Sequence, residues 1–250
     1  MLRGLGIAFG VVTHLIFAFT VWHLFFFLRG GRETGPANVP WNLALATDAL
    51  LALQFAVPHS LLLWPPTRSF LTRWIPSELY GCVYCIVTCT SLLLLFSWWQ
   101  PCPGSFWHCD GALSGVAQAC FYGSWVSLFY SLHLTGLGYQ TGLTPWWYWV
   151  RRQRAPRRAF CSHGLYRWLR HPVYLSFLGL IWFTPHMTAD RAVLTTLWTI
   201  YIFVGSYFKD ERLAYYLGDT YRQYQQRVPG YPLLNFGPLG RLHERTPREV

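Results

Sequence analysis

Two charged blocks hold the side chains best suited to chemistry. The first reads Gly164-Leu165-Tyr166-Arg167-Trp168-Leu169-Arg170-His171-Pro172-Val173-Tyr174-Leu175. Pro172 has no backbone N–H to donate and suits the first turn of a helix. Arg170 and His171 therefore stand at a helix entrance, where the dipole favours anions. The second block is Lys209-Asp210-Glu211-Arg212, four charges in a row at the end of an apolar run. Leu217-Gly218-Asp219-Thr220-Tyr221-Arg222-Gln223-Tyr224 and Arg227-Val228-Pro229 follow it. A site between the two blocks has cations, two carboxylates and several tyrosines. That set suits a zwitterionic small molecule, with its carboxylate on arginine or a helix N-terminus and its ammonium on Asp210 or Glu211. Snorkelling charges at helix ends explain any one of these residues, but explain the joint arrangement less well.

Other ionisable groups lie inside apolar stretches, where they are costly and mark candidate sites. Asp48 and His59 are eleven residues apart, close to three helical turns, so they share one helix face. His59-Ser60 falls at a span end. His14, His23 and His133 lie in other apolar runs. Two histidines on facing helices would suit a haem, but neither C-x-x-C-H nor a heptad histidine pair is present; hydrogen bonding within a bundle is the simpler reading. Cys82, Cys85 and Cys89 share a helical face, which suits small residues packing helix on helix better than a metal lacking a fourth ligand.

These residues must be positioned by membrane helices. Of 250 residues, 53% are hydrophobic and only 12% charged, about half the share in a soluble domain. This excludes a disordered chain and an ordinary soluble enzyme, and the apolar runs argue against a nucleic-acid partner despite a net charge of +10. Seven cysteines, mostly in apolar stretches, imply no disulfide scaffold. Full spans are expected over about Leu5–Leu28, Asn42–Trp64, Leu79–Trp99 and Ala112–Leu137, the first too long for a signal-peptide core and read as retained. Two further segments, Val173–Pro185 and about Ala192–Phe208, form a hairpin joined by Thr-Pro-His-Met-Thr-Ala-Asp. The fold class is thus all-α: a polytopic membrane protein with four full transmembrane helices and a C-terminal helical hairpin, five to six helices in a single domain over 1–250. Trp22, Trp41, Trp64, Trp74, Trp98, Trp99, Trp146 and Trp147 fall near span ends as an interfacial belt.

Residues 138–172 carry seven arginines and no acid, which puts them in the cytosol. Counting through the spans then puts Arg3, Arg68, Arg73 and the tail arginines (222, 227, 241, 245 and 248) on the same side, with both termini inside. Gln100–Gly111 falls outside, where Cys102 and Cys109 are either free thiols or a local disulfide.

Arg-His-Pro-x-Tyr, a hydrophobic hairpin, an acidic pair and then Gly-x-x-Tyr-x-x-Tyr-x-x-Arg-Val-Pro resemble the membrane methyltransferase superfamily. This group includes isoprenylcysteine carboxyl methyltransferase, phospholipid methyltransferases and nurim-like proteins. The resemblance covers about residues 160–231. A weaker similarity, through Pro58-His59-Ser60, Trp107-His108, Gly142-Leu143 and Thr184-Pro185-His186-Met187-Thr188, points to the methanethiol S-methyltransferase branch. The resemblance implies S-adenosyl-L-methionine as cofactor, bound at the cytosolic membrane face by residues 138–250, on a four-helix N-terminal half formed by residues 1–137. By position it implies cofactor contacts for Gly164, Leu165, Tyr166, His171, Pro172, Tyr174, Asp210, Tyr221, Tyr224 and Arg227. Lys209 replaces the first acid of the usual pair and Ser176 the usual glycine, which leaves Glu211 to take over the missing carboxylate.

Methyl transfer from a sulfonium is an in-line displacement in which the protein supplies alignment and exclusion of water. A small or membrane-dissolved thiol is the expected acceptor, reacting as thiolate. Arg170 or His171 would favour the anion, and His59 or His171 would take the proton. Methylation of an isoprenylcysteine or a lipid amine, and a nurim-type protein without catalysis, are the alternatives. No metal is expected in the site.

Overall fold

The computed structural model describes residues 2–30, 39–102 and 104–241; Arg245 and Arg248 of the expected basic tail lie outside them. The long helices are α1 (Leu2–Gly30), α2 (Trp41–Leu63), α4 (Tyr80–Trp98), α5 (Gly111–Leu134) and α9 (Ala189–Leu217). Shorter ones are α3 (Pro65–Leu71), α6 (Leu137–Gln140), α7 (Leu143–Val150), α8 (Pro172–Trp182) and α10 (Asp219–Arg227), with a 3-10 turn over Gly164–Arg167. Prolines open several of them: Pro40 precedes α2, Pro65 and Pro66 begin α3, and Pro172 begins α8. Left-handed glycines divide the chain elsewhere, with Gly136 before α6, Gly142 before α7 and Gly218 between α9 and α10.

Helices α1 and α2 flank α4, α9 packs on α2, and α8 packs on α5. Leu24, Leu92, Leu95, Trp125, Leu128, Leu180, Trp198 and Ile202 meet in the shared core. The opposite faces expose Leu15, Leu50, Val126 and Ile200. In water such an apolar exterior is a liability; in a bilayer it is the surface that the lipid requires. The chain is an all-α, polytopic integral membrane protein.

The spans depart from expectation in one respect. Four described helices are long and apolar enough to cross a membrane: α1, α2, α4 and α9. One of them is α9, the second arm of the hairpin; α5 has the length expected of a span, 24 residues, but is enriched in serine and glycine. The hairpin is correspondingly unequal. Its first arm, α8, has 11 residues and rises about 16 Å. Its second arm continues nine residues past Phe208, so the Lys209–Arg212 block lies within α9 rather than beyond it. Hydropathy falls at the first charge, whereas the helix runs on until Gly218 takes a positive φ of 57°.

At one end of the bundle, β1 (Ser105–His108) and β2 (His186–Thr188) pair antiparallel and tie the hairpin bend to the α4–α5 loop. Runs of four and three residues are too short to show alternation in sequence. Two buried acids brace the same end. Asp190 accepts from Trp99 Nε1 (2.9 Å), and Asp48 accepts from the Gln100 N–H (2.8 Å). Cys102 and Cys109 are free thiols. Cys82, Cys85 and Cys89 are buried within α4, as packing residues should be. The basic segments gather at the other end, where Arg3 Nη2 donates to Val150 O at 2.6 Å and Arg68 lies over the Tyr80 ring.

Gly81 of α4 meets Gly142 backbone to backbone: a Cβ on Gly81 would stand 2.5 Å from Gly142 Cα. Gly81→Ala is expected to lower the melting temperature of the detergent-purified protein, at a cost of about 1–3 kcal/mol or more. Gly4, with open space around it, provides the control, since alanine there should be neutral or slightly stabilising.

Candidate active site

Proline at the first position of α8 stops the preceding chain from continuing as helix, so the chain bends at Arg170 and His171 after the 3-10 turn. Their N–H groups donate to Pro229 O (2.9 Å) and Gly230 O (3.2 Å), which lays the tail alongside them. This turns the Arg170 side chain inward, where it is 1% exposed. Its Nε and Nη2 donate to Asp210 Oδ2 at 3.1 and 2.9 Å. Its Nη1 donates to Gln225 O, Val228 O and Gly240 O, and Nη2 also reaches Pro238 O. One guanidinium thus joins α9, the end of α10 and the tail. Asp210 Oδ1 accepts from the Tyr221 hydroxyl and lies 3.2 Å from His171 Nε2, out of line for a hydrogen bond. Tyr224 OH donates to Tyr166 O at 2.5 Å, returning α10 to the 3-10 turn. Gly164, at φ 59°, starts that turn where a Cβ would strike Leu134 of α5.

Burial lowers His171 to about 4, a loss only partly offset by Asp210. The ring is therefore neutral at ordinary pH, and its Nδ1 has no hydrogen-bond partner. Burial raises Tyr166 to about 12, and burial beside Asp210 raises Tyr221 well above the usual phenol range.

Beside this buried pair is a second polar group, between α2, α4, α8 and α9. Tyr84 OH lies 2.9 Å from His59 Nε2 and Thr88 Oγ1 lies 3.4 Å from Nδ1. Ser60 Oγ donates to Tyr201 OH at 3.2 Å. Tyr174 OH is 3.5 Å from Gly205 O, and Lys209 Nζ lies 5.2 Å from the Tyr174 ring and 5.9 Å from that of Tyr166. Arg212 donates to Leu63 O and interacts electrostatically with His59, Tyr84 and Tyr174. His59, Tyr84, Tyr174 and Lys209 are all half-buried. Together these side chains form a polar recess in the otherwise apolar packing, with Ser60 at its exposed edge.

Of the residues singled out in the sequence, Tyr166, Arg170, His171, Pro172, Tyr174, Asp210, Tyr221 and Tyr224 come together, with Gly164 and Leu165 in the turn behind them. Two expectations need correction. Arg170, expected with His171 as a group that would favour the thiolate, has its donors spent on Asp210 and the carbonyls. Asp210 was expected to meet an ammonium, but Arg170 and Tyr221 occupy it. Glu211 and Arg227 are exposed and take no part in the buried group. His59 lies in the recess, about three turns along α2 from Asp48, whose partner is at the far end. Tyr84, Thr88 and Tyr201 were missed. The signal was available: Tyr201 and Arg212 are eleven residues apart on one face of α9, the spacing noticed for Asp48 and His59.

Comparison with known proteins gives a consistent pattern. Methanethiol S-methyltransferase of Pseudomonas sp. is 32% identical over 234 residues, 89% of this chain and 88% of its own. Methanethiol S-methyltransferase 1 of Bradyrhizobium diazoefficiens is 31% identical, covering 88% of this chain and 79% of its own. Nurim of Danio rerio is 26% identical over 75% of this chain and 74% of its own. No family model matches the chain. No solved structure matches it.

Arg170→Leu or Asp210→Leu alone is expected to destabilise by about 3–5 kcal/mol, because each strands a buried charge, while the double variant recovers part of the loss. Chemical unfolding of all four proteins in detergent measures this, and additive losses would contradict it. His171 takes up its proton near pH 4 folded but near 6.5 unfolded. Its contribution is therefore complete above about pH 6.5 and shrinks as the pH falls toward 4, by at most about 1.4 kcal/mol per unit. His171→Gln should flatten unfolding free energy against pH in that window.

Proposed function

The chain belongs to the family of methanethiol S-methyltransferases and nurim, and from that membership we propose a membrane-embedded methyltransferase that moves a methyl group from S-adenosyl-L-methionine to a small thiol, methanethiol giving dimethyl sulfide. The observation that carries this reading is the cluster of His59, Tyr84, Tyr174, Tyr201, Lys209 and Arg212 beside the Arg170–Asp210 pair. S-adenosylmethionine, when bound, supplies an electrophilic methyl group on a sulfonium. The residues present fit it: Lys209 and Arg212 suit its carboxylate, the faces of Tyr84, Tyr174 and Tyr201 suit a cation, and His171 Nδ1 is an unused polar atom beside them. With Asp210 committed and Glu211 turned outward, the ammonium contact passes to tyrosine hydroxyl oxygens.

The chain's own groups then have distinct tasks. Lys209 and Arg212 favour the thiolate over the thiol. His59, held by Tyr84 and Thr88, takes the thiol proton as the sulfur gains the methyl group. Surrounding helices exclude water, which would otherwise solvate and blunt the nucleophile. Arg170 and Asp210 are positioning residues that hold the tail motif against the recess. In this reading residues 138–250 bind the cofactor and rest on the four-helix N-terminal half, residues 1–137. The basic end of the bundle faces the cytosol. A thiol dissolved in the bilayer reaches the recess between helices.

Labelled S-adenosylmethionine supplied with methanethiol, a prenylcysteine or phosphatidylethanolamine tests the assignment. Labelled dimethyl sulfide from the first alone is expected; methylation of prenylcysteine but not methanethiol overturns the acceptor, and no product from any acceptor favours the non-catalytic alternative. Lys209→Ala is expected to raise the cofactor KM about tenfold, the value of one charge-assisted contact. His59→Ala should instead lower kcat about a hundredfold with little change in that KM.

A further inference from the structure

The polar recess ends abruptly toward the middle of the bundle. Phe55, one turn before His59 on α2, places its ring 5.4 Å from the His59 ring and 6.3 Å from that of Tyr201. On its other side it packs 5.3 Å from Trp198 of α9. Trp198 is 6% exposed and joins the main core with Leu95 and Ile202. On one side of this pair are an imidazole and hydroxyls; on the other is close-packed hydrocarbon. Trp198 Nε1 is buried without a hydrogen-bond partner, which is unusual for an indole in a protein interior.

We propose that Phe55 and Trp198 form the floor of the acceptor pocket and set the length of alkyl thiol that the protein accepts. The proposal rests on the reading of the recess as a thiol-methylating site. An acceptor whose sulfur lies near His59 directs its alkyl group toward the two rings. An acceptor of one or two carbons makes the least demand on the space between His59 and the rings. A longer chain would have to displace a rigid aromatic side chain from an interior that is already close-packed. An apolar pocket of this kind discriminates by about 10–200-fold for a single methylene.

The experiment compares wild type, Phe55→Ala and the milder Phe55→Leu, which guards against a folding failure, in detergent. Methane-, ethane-, butane- and hexanethiol are supplied with labelled S-adenosylmethionine, and kcat/KM is measured for each. In parallel, the corresponding methyl thioethers are titrated without cofactor, with the shift in melting temperature as readout. Wild type is expected to fall at least tenfold in kcat/KM between ethane- and butanethiol. Both variants should move that break to longer chains, Phe55→Ala the further, and the thioether shifts should follow the same order. A wild type that treats methane- and butanethiol alike, or folded variants with the wild-type length profile, would overturn the proposal. Thioether shifts that follow chain length without any methylated product would instead support the floor while overturning the methyl-transfer reading.

Discussion

The buried pair of Arg170 and Asp210 is the interaction on which the active end of the molecule depends. Two charges with side chains at most 2% exposed are tolerable only because nearly every donor and lone pair is used. Arg170 achieves this by collecting carbonyls from the end of α10 and from the tail. The tail buries Val228, Tyr231 and Leu239, but beyond Tyr221 and Tyr224, α10 is polar. Its place against the bundle is therefore set by hydrogen bonds to a charge, with hydrophobic burial contributing less. The pair also spaces its neighbours. By holding α9 at Asp210 it points Lys209, the adjacent residue, around the helix toward Tyr166 and Tyr174.

The membrane shapes the rest. Helices α1, α2, α4, α5 and α9 turn apolar faces outward, so polar side chains have only the interior to go to, and there they must find one another. His59, Tyr84, Thr88, Ser60, Tyr201 and Arg212 do so between α2, α4 and α9. At the other end, Asp48 and Asp190 are used up in bracing the α4–α5 loop. Interior polarity is thus divided in two: a bracing end where Asp48 Oδ1 and both Asp190 oxygens accept from backbone and indole N–H groups, and a reactive end built from imidazole, hydroxyls and cations.

Much of this was legible in the sequence, for physical reasons. Apolar runs of about 20 residues have one solution in a bilayer, so the long helices and the gathering of basic segments at one end could be read directly. Arg170, His171, Pro172, Tyr174, Asp210, Tyr221 and Tyr224 were recognisable as a group because their spacing around a hairpin is distinctive. Their individual roles were not. Whether Asp210 meets a ligand or Arg170 depends on which way a side chain turns at the bend before Pro172, and that is decided by the tail pairing Pro229 and Gly230 to Arg170 and His171, contacts 59 residues apart in sequence. The end of α9 was misjudged because a charge looks like a membrane boundary, although α9 continues through Lys209 and Asp210 with both turned to protein. Tyr84 and Tyr201 were missed because a tyrosine in an apolar span is ordinarily packing.

The central claim is that the recess beside this pair binds S-adenosylmethionine within a membrane bundle. Isothermal calorimetry of S-adenosylmethionine into the detergent-purified protein, beside an Asp210→Asn variant shown to be helical, tests it most directly. The account expects one site per chain in the wild type and at least a tenfold loss of affinity in the variant. A wild-type protein that takes up no S-adenosylmethionine, or a folded variant that binds it equally well, would contradict it.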